Sequence, residues 1–185
     1  MKSIVKTRHP EAVKLYFSLI IFLTAIALSS FGQIDSLKYN ALVKKQNSFD
    51  VSIGGLGLFA SLNFSRYVLI KENYFVNTSI GIGTAPMVGG MILPHQITFN
   101  YGKNRKFLEV GMGGTYWVST IHDEPHKGDV VHSYNLAPIV GWRIHFKNNM
   151  VFRVFATPIF HVAGEYIFND YSILPYGGFS LGINL

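Results

Sequence analysis

Residues 134–162 read YNLAPIVGWRIHF, then KNN, then MVFRVFATPIFHV. In the first run Tyr134, Leu136, Pro138, Val140, Trp142, Ile144 and Phe146 share a face. Asn135, Ala137, Gly141, Arg143 and His145 share the other, and Ile139 is the exception. In the second run Met150, Phe152, Val154, Ala156, Pro158, Phe160 and Val162 alternate with Arg153, Thr157 and His161. A period of two is that of a β-strand. Strands of soluble domains run to about 5–6 residues, whereas strands that cross a membrane need ~9–11. Long strands with one apolar face and one small, polar face describe a barrel with lipid outside and packed polar side chains within.

Composition points the same way. The chain has 185 residues, 49% hydrophobic and 14% charged, against ~25% charged in ordinary soluble domains. Glycine (18), phenylalanine (15) and tyrosine (10) are abundant. There is no cysteine, which removes disulfides, thiol catalysis, Cys-based metal sites and a lipid anchor on cysteine together. From Gln33 onward 12 Lys+Arg face 9 Asp+Glu, a net +3 with no dense basic stripe, so nucleic acid is not an expected partner.

Taken in order, residues 1–32 read as a secretory signal: Lys2, Lys6, Arg8 and Lys14 precede the apolar stretch Leu15–Leu28, and Ser30 and Gly32 suit cleavage before Gln33. Residues 33–48 read as a polar periplasmic lead-in, and 49–185 as the barrel. Eight strands are expected, near 49–56, 58–70, 74–84, 94–101, 107–119, 134–146, 150–162 and 174–184. The fold class is therefore all-β, an up-and-down antiparallel transmembrane barrel. From the second strand on, the connections alternate short (71–73, 102–106, 147–149) and long (85–93, 120–133, 163–173). Outer-membrane barrels have short periplasmic turns and long outer loops. The GGLG at 54–57 breaks this rule, reading as a turn or bulge where a long loop is due. Pro86, Pro94, Pro138, Pro158 and Pro175 fall toward the long-loop ends, away from the short turns.

The inward faces are rich in Gly and Ser, which leaves room for Glu109, Arg143, Arg153, His145, Asn63, Asn77 and Gln96. A barrel of eight strands is filled by its side chains. Glu109 is expected to bridge Arg143 and Arg153 in an ion-pair cluster that closes the lumen, since guanidinium groups bind carboxylates in bidentate fashion. The other reading of the same trio is a charged constriction in a narrow pore. Two aromatic girdles are expected: Tyr67, Tyr74, Tyr101, Phe107 and Phe146 near the turns, and Tyr116, Trp117, Tyr134, Phe160, Tyr171 and Tyr176 near the loops.

Chemistry has one dense candidate, the loop IHDEPHKGDVVHS. His122, His126, Asp129 and His132 are metal-ligand types, but Pro125 interrupts the spacing and a solvated outer loop is the plainer reading. His132, Ser133 and Glu124 supply the residue types of an acyl-transfer set without its spacing. No phosphate loop, dinucleotide fingerprint or HExxH is present. No cofactor is expected, and the chain does not read as an enzyme.

The alternation over 49–185 and the ending GGFSLGINL, with Phe179, Leu181, Ile183 and Leu185 in step, resemble small outer-membrane barrels of the OmpA-like or OmpX-like kind. They resemble more closely the short outer-membrane barrel proteins of Bacteroidetes. Leu185 departs from the terminal Phe common in such barrels. The resemblance implies insertion from the periplasm through the barrel assembly machinery, contact with outer-membrane lipid, and a monomer. It carries over no catalytic residue. The function expected is a structural or interaction role presented on the outer loops. Narrow-pore transport and modification of outer-leaflet lipid are the alternatives.

Overall fold

The computed structural model describes residues 45–71, 73–84, 90–103, 105–120, 130–165 and 173–185. The expected signal and most of the lead-in lie outside them. The described residues form ten strand segments: β1 (Asn47–Gly54), β2 (Ala60–Ile70), β3 (Tyr74–Thr84), β4 (Met91–Lys103), β5 (Lys106–Thr120), β6 (Val130–His145), β7 (Met150–Ala156), β8 (Ile159–Gly164), β9 (Ile173–Leu174) and β10 (Gly177–Asn184). β7 and β8 are two halves of one stave, interrupted at Thr157-Pro158, and β9 and β10 are two halves of another, interrupted at Pro175-Tyr176. Each stave pairs antiparallel with its neighbours in the chain, and β1 also pairs with β10 from Ser48↔Asn184 to Gly54↔Gly178. The sheet thus closes on itself as an eight-stranded up-and-down barrel, and among the described strands the two-residue β9 alone has a single partner.

The alternation sets the two surfaces. Phe49, Val51 and Ile53 point out, while Asp50 and Ser52 point into the lumen. Ile80, Ile97, Val110, Val154 and Leu181 continue the outward surface around the barrel. β3 has the expected bounds, β4 and β5 extend beyond theirs at both ends, and β6 starts earlier than expected, at Val130, and ends at His145. The first strand lies two residues earlier than expected, so the lead-in gives way to barrel at Asn47.

Two faces depart from strict alternation. Val68 is in step with the outward Leu62 and Phe64 but is buried, because the register of β2 against β3 shifts between Tyr67 and Leu69. Such a bulge turns the following side chain over. Leu58, within the expected range of the second strand and in step with the outward Leu62, lies instead on the turn between β1 and β2, buried in the lumen. Pro138 lies within β6 rather than at a strand end, where the ladders to β7 and β8 leave residues 137–139 unpaired. A residue without a backbone donor costs little there.

Candidate functional site: the closed lumen

The centre of the lumen is ionic. Glu109 on β5 is 0% exposed and lies opposite Gly141 on β6. A side chain at Gly141 would have its Cβ 2.7 Å from that of Phe155. Arg153 Nε donates to Glu109 Oε2 at 2.9 Å and Arg153 Nη2 to Oε1 at 2.8 Å. Arg143 Nη2 donates to Oε1 at 3.0 Å. Arg153 also reaches Gln96 Oε1 at 3.4 Å. The guanidinium planes rest on rings, Arg153 over Phe155 at 4.8 Å and Arg143 over Phe75 at 5.7 Å. The geometry brings together the three residues singled out from sequence. A second buried carboxylate, Asp50, accepts from Ser52 Oγ and Asn63 Nδ2, both at 3.0 Å. Among the described lumen residues two carboxylates therefore balance two guanidinium groups. Burying such a network costs desolvation, which is recovered only while every charge keeps its partners.

Below this network, at the short-turn end, Tyr67, Phe75 and Phe107 pack edge to face, with ring centroids 5.0 and 4.9 Å apart. All three surround His145. Tyr67 Oη donates to Asn184 Oδ1 at 2.9 Å, and the Asn184 amide meets His145 Nδ1 at 3.3 Å. This corrects the expected lower girdle: Tyr67 and Phe107 close the inner mouth, while Tyr101 and Phe146 stay outside. Parity carried the distinction, since Tyr67 is in step with Asn63 and Ser65, and Phe107 with Glu109.

Above the network the lumen is apolar. Gly54 and Gly55 have φ of 78° and 67° and turn the chain back inside the barrel as a 3₁₀ turn over Gly55–Gly57. A Cβ on Gly55 would lie 2.3 Å from the Phe155 ring. The turn lowers Leu56 and Leu58 into a cluster with Ile92, Trp117, Ala137, Ile139, Phe155 and Ile159. Thr115 Oγ1 donates to the Leu56 carbonyl at 2.7 Å and Tyr176 Oη to the Leu58 carbonyl at 2.8 Å. Each leucine gains about 1.5–3 kcal/mol by burial. That offsets the ~1–3 kcal/mol of Leu58 at φ 58°. The missing outer loop is thus an inward plug. Trp117 and Tyr176, expected in the upper girdle, pack on it from within. Tyr134 keeps to the outward side, stacked on His95 with its Oη 2.9 Å from Nε2. Tyr171 lies outside the described residues. A small cavity remains between the plug and the ionic centre, lined by Ser52, Ser61, Asn63, Gln96 and Arg153.

The other candidates are not assembled among the described residues. His122, Glu124, His126 and Asp129 lie outside the described residues. His132 stacks on Tyr116, with Nδ1 2.8 Å from the phenol oxygen. Ser133, its neighbour on the opposite face, is buried and meets His161 Nδ1 at 3.4 Å. Adjacent strand residues point apart, so His132 does not serve Ser133 as a base. Among the described residues no group of three or more His, Asp or Glu could hold a metal ion. Among the described residues an aromatic mouth, an ionic centre and an apolar plug lie in series along the lumen.

No protein-family model and no curated protein matches the chain. Among solved structures it is similar to the N-terminal β-barrel domain of Pseudomonas aeruginosa OprF, at 13% identity and a TM-score of 0.46, over 77% of this chain and 100% of that one.

Proposed function

We infer that the chain is an integral outer-membrane β-barrel with a closed lumen, and that its role is structural or interactive, presented on the long loops. One observation carries the reading: the band of large apolar side chains on the outside of the barrel. Leu62 and Ile80 are 60% and 61% exposed, and Phe49, Val110, Val140 and Phe179 are exposed with them. A soluble monomer's largest apolar patch is about 300–600 Å², whereas this band runs around the staves. Outward charges on the described strands are few: Arg66 within β2, and Lys103 and Lys106 at the short-turn ends of β4 and β5. Inside, the polarity is that of a filled core. An up-and-down barrel with its apolar surface outside and its ions inside is stable in lipid.

The reading takes outer-membrane lipid and the barrel assembly machinery as partners, and it leaves conduction and catalysis to the alternatives. Its test is the electrophoretic mobility of the detergent-refolded mature chain, unheated against boiled. A heat-dependent shift is expected. A chain that is soluble without detergent and shows no shift would refute the reading. Planar-bilayer recording addresses the pore alternative, with no steady current expected. Unchanged acyl composition of lipid incubated with the protein removes the enzyme alternative.

A further inference from the structure

The outward faces of β4 and β5 form a graded series toward the short-turn end. Ile97 stands beside Met112, Phe99 beside Val110, Tyr101 beside Leu108, and then Lys103 beside Lys106. The turn between them adds Arg105. The end of β6 runs alongside, since His145 N donates to the Arg105 carbonyl at 2.8 Å, and this brings up Phe146 and Lys147. Lys103, Lys106 and Lys147 are exposed. The described acidic side chains lie elsewhere: Asp50 and Glu109 in the lumen, and Glu165 at the long-loop end. At ~3.4 Å per strand residue, the lysines stand about 7 Å along the chain beyond Tyr101 and Leu108. Apolar band, aromatic level and cations follow in the order of hydrocarbon, interface and headgroup.

We propose that Lys103, Arg105, Lys106 and Lys147 form a binding surface for the headgroup phosphate of an anionic phospholipid, whose acyl chains lie against Tyr101, Leu108 and Trp142. The inference rests on the membrane reading. Charge complementarity selects the occupant: four cations lie together at one rim, with no described acidic side chain among them. Their outward direction on the apolar surface selects a lipid over a soluble anion. In the membrane reading the short turns are periplasmic, so the lipid is one of the inner leaflet.

Trp142 supplies the readout. It faces outward, paired with Leu108 and Val154, whereas Trp117 is buried in the lumen. The full chain is reconstituted in equal mixtures of phosphatidylglycerol and phosphatidylcholine, with bromine on the acyl chains of one or the other, and tryptophan quenching is compared. Phosphatidylglycerol is expected to occupy the site in preference, by about fivefold for each cation engaged. The triple variant K103Q/K106Q/K147Q, with all three changes on the surface, should bring the ratio toward one. Raising salt on the native chain should do the same. Equal quenching by the two lipids in the native chain, or a preference that survives the triple variant, would overturn the proposal. Quenching by neither lipid would overturn the membrane reading, and the headgroup site with it.

Discussion

Replacing Glu109 by alanine removes the acceptor of three hydrogen bonds from two buried guanidinium groups. Arg153 keeps Gln96, but Arg143 keeps no other hydrogen bond among the described residues, and its Nε has none already. Asp50 is engaged by Ser52, Asn63 and Ser65. Two cations would then face each other with one carboxylate fewer. Removing one partner of a buried pair costs about 3–5 kcal/mol. With a urea slope of about 2 kcal/mol per molar, the unfolding midpoint in lipid vesicles should fall by roughly 1.5–2.5 M, read as loss of the fast-migrating band on unheated gels. A midpoint within about 0.5 M of the parent would refute the view that Glu109 holds the centre of the lumen. The triple change E109M/R143M/R153M separates charge from packing. Replacing a whole buried ionic set by apolar side chains is often neutral, so the triple variant should recover most of the loss. If it is as unstable as Glu109→Ala, the defect is one of packing and the electrostatic argument fails.

Three further outcomes follow from the same geometry. Gly55→Val sets a side chain against the Phe155 ring at positive φ and should cost about 2–4 kcal/mol; an unchanged urea midpoint would contradict the inward plug. Ile80→Arg, in the middle of the outward band, should lose about 2–4 kcal/mol in vesicles, and a neutral result would favour a surface that faces water. Leu56→Ser empties part of the plug but leaves Glu109, Arg143 and Arg153 in place, so planar bilayers should still pass no steady current. A steady current would mean that the plug alone seals the lumen.

The barrel and its ionic centre were legible in the sequence for one reason: strand parity is strict, and a charged residue in step with glycine and serine has only the interior to occupy. Glu109, Arg143 and Arg153 each stand in such a pattern. The aromatic assignments failed where nearness to a turn was given more weight than parity, as with Tyr67, Phe107 and Trp117. The apolar upper lumen had one visible trace, Ile139, which broke the alternation of β6 because it packs inward on the plug. The plug itself was hidden. GGLG fixes that the chain can adopt left-handed conformations, but the direction of the turn is set by distant residues, Thr115 and Tyr176, which hold the Leu56 and Leu58 carbonyls. Val68 likewise depends on a bulge, which alternation alone does not reveal.

The seam between β1 and β10 has a consequence for the order of folding. Seven ladders join staves adjacent in the chain, while the eighth joins Asn47–Gly54 to Gly177–Asn184, well over a hundred positions away. Bringing such distant segments together costs about 3 kcal/mol more chain entropy than closing a three-residue turn. A folding chain can therefore zip hairpin upon hairpin into a curved sheet, but it keeps two unsatisfied edges until its first and last staves pair. Assembly ends in a single cooperative step that turns a sticky open sheet into a cylinder. A chain that lacks residues 177–184 has a bare flank on β1, prone to pair with whatever strand it meets.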